Sequence, residues 1–172
     1  MDLQKLGIKF FMTNPNSVPL LDFIPVFQKW IQGQVIPNHM LIDIHNYSHI
    51  HNGPGILLVA HEGNFSIDMA DARTGLLYYR KQPGGDAVKT ALHACSLLEN
   101  EPAFGGRVRF RKDEVEVVAN DRLLAPNDDA TLAKLEPALS SAFKGALGSK
   151  NFKISRTSSN PKERFSARVE IS

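Results

Sequence analysis

Four strand-length apolar runs follow one another between residues 40 and 80, and this succession constrains the fold more than any other feature of the chain. They are Met40–Ile44, Ile56–Ala60, Asn64–Met69 and Gly75–Arg80. The links His61–Gly63 and Ala70–Thr74 can close hairpins, whereas a parallel pairing needs a crossover of about a dozen residues. This part of the chain must therefore build antiparallel sheet. Further strand-like runs lie at Lys9–Met12, Phe152–Ser155 and Phe165–Ile171, the last two on either side of the turn-rich Ser158–Pro161. Arg107–Arg111 alternates strictly, and a tight turn at Lys112-Asp113 is predicted to return it as Val115–Val118.

Three segments carry helical periodicity. The first is predicted from Ser17 as N-cap, through Pro19 in the first turn and a kink at Pro25, to Gly33 as C-cap. The second opens at Asp86 after Pro83-Gly84-Gly85 and ends near Asn100, before Pro102. The third opens at Asp128 or Asp129 and runs to Gly148, with Pro137 in its middle. Its Leu132, Leu135, Leu139 and Phe143 step by 3, 4 and 4 and form a one-sided apolar stripe.

These elements define an α+β fold, one domain over residues 1–172, with a mainly antiparallel β-sheet packed against three α-helices. Each helix follows a short strand and a turn containing Pro15, Pro83 or Pro126. The pattern suggests a degenerate three-unit repeat of three strands and a helix, its third unit split across the termini. Any α+β chain with three helices yields a similar series.

Composition bounds the class. At 172 residues and 42% hydrophobic the chain buries a sizeable core without a disulfide or structural metal. Its 20 Lys+Arg against 18 Asp+Glu leave a formal charge of only +2, which argues against a nucleic-acid partner. The single cysteine, Cys95, shares a helical face with Val88, Ala91, Leu92 and Leu98 and reads as a buried thiol. A lone thiol, a start at Met1–Lys5 without signal character and the lack of a membrane-length apolar run lead to a cytoplasmic expectation.

Five of the six histidines, His39, His45, His49, His51 and His61, fall within 23 residues. Imidazole is a common metal ligand and titrates near neutral pH, so such a cluster points to metal, acid–base chemistry or ligand binding. Alternation places Leu41, Asp43 and His45 on one strand face, and His49 with His51 if that stretch is extended. The candidate ligands for a divalent transition metal are His45, His49, His51 and His61, with Asp43 or Glu62 as carboxylate partner. A plainer reading has these imidazoles capping turns in a polar surface loop. No His-Glu-x-x-His, Cys-x-x-Cys or EF-hand spacing sharpens the metal reading.

Asn52-Gly53-Pro54-Gly55 leads into an apolar strand. Gly53 and Gly55 would let exposed N–H groups hold an anion, although a plain turn explains them as well. Arg107, Arg109 and Arg111 share one face of their predicted strand, where Asp113, Glu114 and Glu116 should neutralise them.

The functional expectation is a small-ligand or anion-binding protein using the histidine segment of residues 39–62. Its binding set is His45, His49, His51, Gly53, Gly55, His61 and Glu62. The alternative is a metal-dependent or histidine acid–base enzyme, hydrolase-like, at the same residues; a protein-interaction module is the third. A homodimer is the default assembly.

Overall fold

A computed structural model describes residues 6–82, 85–148 and 151–172. Its strands are β1 (Leu6–Met12), β2 (Leu41–Tyr47), β3 (Gly55–Ala60), β4 (Gly63–Asp68), β5 (Gly75–Arg80), β6 (Phe110–Ala119), β7 (Phe152–Arg156) and β8 (Phe165–Ile171). Its helices are α1 (Phe23–Gly33), α2 (Ala87–Glu99) and α3 (Asp129–Leu147). The strands form one sheet in the order β2-β3-β4-β5-β1-β6-β8-β7, and every neighbouring pair is antiparallel. This is the expected α+β class. Hairpins build the run β2 to β5, as their short links require. Strand β1 returns beside β5 and lets β6 add to its other side.

All three helices share one face of the sheet. Strand alternation sends Ile8, Phe10, Leu58, Phe65, Leu76, Tyr78, Val117 and Val169 into a core shared with Phe27 of α1, Cys95 of α2 and Leu139 of α3. The predicted α3 stripe is the one that faces the sheet. Aspartate caps fix two of the helix starts. Asp86 accepts from the Lys89 N–H and Asp128 from the Thr131 N–H, each relieving an orphan donor of the first turn. The Pro83-Gly84 part of the turn before α2 lies outside the described residues.

Several sequence expectations change. Helix α1 begins at Phe23, after a short 3-10 turn at Leu20–Asp22, so Ser17 is not its cap. Pro25 therefore occupies the first turn, where a missing N–H costs nothing, and does not kink the helix. Gln34, not Gly33, takes the left-handed capping position at φ 46°. Lys112-Asp113 makes no hairpin. Phe10 pairs with Val115 and Met12 with Phe110, so Arg111–Glu114 form a bulge of the continuous strand β6 opposite Phe11, with Glu114 still paired to Glu170 of β8. Four consecutive charges cannot enter the core, and the apolar residues at both ends hold the strand in register around them. Arg107 and Arg109 precede β6, so the arginine row does not form. The strand count does not repeat either: four strands lie between α1 and α2 but one between α2 and α3.

The two edges of the sheet differ. At β2 a register shift lies between Leu41 and Asp43. The Gln34 side chain bonds both the N–H and the C=O of Leu41, the Ile44 N–H donates to Asp43 and the Ser48 N–H to Asn46. These contacts blunt the edge against strand addition. At β7, Asn151 exchanges both backbone bonds with Ser172, and the Thr157 N–H donates to Ser166. By alternation Phe152, Ile154 and Arg156 point their N–H and C=O groups away from β8, which leaves β7 the edge open to a further strand.

Candidate functional site

The sheet face without helices carries polar and charged residues at its centre. Lys9 follows Ile8 and precedes Phe10, so it must point away from the core. It is nevertheless buried, at 3% exposure, and its Nζ donates to Asp68 Oδ2 at 2.8 Å. A buried ion pair holds only where other bonds satisfy its remaining groups. Here Lys9 Nζ also donates to the Ala70 carbonyl, and the Ala70 N–H donates to Asp68.

The connection after β4 is bent to make those contacts. Asp71 and Ala72 both adopt left-handed backbone, at φ 59° and 56°, which costs a residue with a Cβ about 1–2 kcal/mol. Met69 N–H to Gly53 and Met12 N–H to Thr74 pin its two ends. The bend delivers Arg73 over the Phe11 ring, 3.6 Å from its centroid, and onto Glu114 in a two-pronged pair at 2.8 and 3.0 Å.

Glu114 is the hub of this face. Arg168 Nε lies 3.0 Å from one carboxylate oxygen and an Arg111 terminal nitrogen 3.3 Å from the other. The Arg73 fork, reinforced by the other two guanidinium groups, holds the Glu114 carboxyl below the usual carboxylate range despite partial burial. The same bond raises the Arg73 guanidinium above its ordinary value.

Beside this hub opens a pocket of about 260 Å³ with Phe11, Arg73, Glu114 and Glu116 among its lining residues. Asp71, Glu163, Arg168, Thr157 and Ser158 also line it. The Ser158 hydroxyl accepts from the Asn160 N–H and so can still donate. Among the described residues, the Asp71 and Glu163 carboxylates and the Arg168 terminal nitrogens have no hydrogen-bond partner. The pocket thus presents both free donors on a cation and free anionic acceptors.

The histidine segment is arranged differently from expectation. Because of the register shift, Leu41 faces the core while Asp43 and His45 lie on the other face, opposite Val59 and Leu57. His45 Nε2 is 3.7 Å from Asp43 Oδ2, with both side chains about half-exposed or more. His61 lies beyond Leu57 along β3 by four residues, roughly 13 Å at about 3.3 Å per residue. His49 and His51 are exposed in successive turns after β2, not on an extended strand. Among the described residues no group of three or more His, Cys, Asp or Glu side chains gathers as a metal site.

Gly53 and Gly55 have structural work. A Cβ on Gly55, at φ +62°, would sit 2.1 Å from the Ile67 carbonyl oxygen, so β3 approaches β4 there only through glycine. Glu62 accepts from the Met40 N–H at 2.8 Å and ties the β3–β4 turn to the start of β2. Burial pushes its carboxyl up, but that bond, with His39 and His61 nearby, brings it below its ordinary value.

His39 has the best-defined role of the segment. Its Nδ1 meets the Pro37 carbonyl oxygen at 2.8 Å, which requires a proton on Nδ1. Its other ring nitrogen, Nε2, lies 2.7 Å from the Tyr78 hydroxyl oxygen, and Arg80 donates to the same oxygen at 3.3 Å. Burial pushes the Tyr78 hydroxyl above its ordinary range. A Cβ on Gly63 would meet that hydroxyl at 2.7 Å, so the glycine makes its space.

No family model, curated protein or solved structure matches this chain. Sequence reading missed Arg73, Glu114 and Arg168 as a unit, because their elements are far apart in the chain. One signal was available: a lysine at the centre of the apolar run of β1 needs a buried carboxylate.

Proposed function

We propose that this protein binds a small zwitterion, a molecule carrying an ammonium group and a carboxylate, in the pocket beside Glu114. The observation that carries the reading is the presence of both free charges in one cavity, whose lining includes Arg168 together with Asp71 and Glu163. The carboxylate would take the terminal nitrogens of Arg168 and the Ser158 hydroxyl, and the ammonium group would sit between Asp71 and Glu163. Glu114 would act as the fixed anchor that holds Arg73 and Arg168 in place, with Phe11 as the apolar floor. This retains the expectation of a ligand-binding protein and moves the site away from the histidine segment.

Free α-amino acids are the simplest probes. Titration calorimetry with a panel of them, backed by thermal shift, should find saturable binding by at least one member. That binding should weaken at least tenfold in Arg168→Gln and in the Asp71→Asn, Glu163→Gln double variant. A ligand at about 100 times its dissociation constant adds about 2.7 kcal/mol of stability, which a melt resolves easily. Absence of binding by every member at millimolar concentration would overturn the proposal, as would binding indifferent to both variants.

A further inference from the structure

A second cavity, of about 330 Å³, opens on the helix-bearing side of the sheet, where β1 ends and the chain turns toward α1. Its wall is apolar: Met12 and Ile67 from the strands, Val18 and Phe23 from the connection and helix, and Met69 from the bend after β4. Two polar side chains, Asn16 and Thr74, stand among them and make no side-chain hydrogen bond among the described residues.

Behind the cavity wall a Cβ on Gly55 would meet the Ile67 carbonyl oxygen and the Leu20 side chain, and the Met69 N–H donates to the Gly53 carbonyl. Apolar walls of this size with a few placed polar groups are what small-molecule sites use. Two thioethers and a phenyl ring favour an aromatic guest, since sulfur and ring edges attract such a face.

We infer that this cavity is a binding site for a monocyclic aromatic molecule bearing one hydroxyl group. The ring lies among Met12, Phe23 and Met69, and the hydroxyl meets Asn16 and Thr74. This site is separate from the zwitterion pocket and independent of it.

Binding of p-cresol to the intact protein, followed by calorimetry and by ligand-detected NMR, tests the inference, with toluene as the hydroxyl-free control. Saturable binding of p-cresol at least tenfold tighter than toluene is expected. Val18→Phe fills the cavity and should abolish it, while Asn16→Ala with Thr74→Val should bring p-cresol down to the level of toluene. Circular dichroism and the melting curve establish that each variant is folded; Met69→Phe serves as the filling variant if Val18→Phe is not. Arg168→Gln should leave p-cresol binding unchanged, which separates this result from the amino-acid experiment. No saturable binding, equal affinity for toluene, or binding that survives a folded filling variant would overturn it.

Discussion

Lys9 Nζ lies 2.8 Å from Asp68 Oδ2, in side chains only 4% and 11% exposed, on the sheet face that carries none of the three helices. The ion pair joins the central strand β1 to the end of β4 and braces the bend that positions Arg73. It is thus the foundation of the charged pocket as well as a part of the fold. Removing one partner strands the other charge, at a cost of about 3–5 kcal/mol. Lys9→Met should lower the urea midpoint accordingly. The double variant Lys9→Met, Asp68→Leu should recover most of the loss, because neither charge then remains buried. A double variant no better than the single one would show that the bend, not the stranded charge, dominates.

Glu114 gives the face its pH dependence. Its folded-state pKa is depressed, mainly by Arg73, so its stabilising contribution is complete above the ordinary carboxylate value of about 4.3. That contribution disappears as pH falls through the lower, folded value. The unfolding free energy should therefore drop on acidification below about pH 4.3, and Glu114→Gln should flatten that limb while lowering stability at pH 7. Urea melts across the acid range read both effects.

Glycine requirements separate two positions with similar backbone. Gly55 and Gly105 sit at φ +62° and +56°, but only Gly55 has a carbonyl oxygen in the space of a Cβ. Gly105→Ala should cost about 1 kcal/mol, the backbone penalty alone. Gly55→Ala should cost at least about 3 kcal/mol, since the β3–β4 contact must also open. Equal losses in chemical denaturation would contradict the clash.

The histidines should respond unequally. His49→Ala and His51→Ala remove exposed turn residues and should each change stability by less than about 0.5 kcal/mol, with amino-acid binding untouched. Tyr78→Phe removes a buried hydroxyl that bonds both His39 and Arg80, and should cost about 1–2 kcal/mol. A large loss of stability or binding in either exposed variant would return the functional assignment to the histidine segment.

The sequence by itself determined the three helices, the four strands between residues 40 and 80 and their antiparallel pairing. Runs separated by links of three and five residues are too close for a parallel crossover, and the stripe of α3 has one face to bury. It also determined the buried state of Cys95, whose apolar neighbours recur at helical spacing and whose thiol is pushed far above its ordinary range by burial. Aspartates before α2 and α3 announced the helix starts, because a side-chain acceptor there meets an unpaired N–H.

Only the tertiary structure decided where the chemistry lies. Clustering in sequence brought five histidines near one another along the chain, but strand extension spread them, and a register shift turned Leu41 and Asp43 to opposite faces. Conversely, Phe11, Arg73, Glu114 and Arg168 come from β1, the bend after β4, β6 and β8, and meet because the order of strands in the sheet is not their order in the chain. Local periodicity fixes which way a side chain points. Which distant side chain it meets depends on strand order and register, set by the packing of the whole sheet.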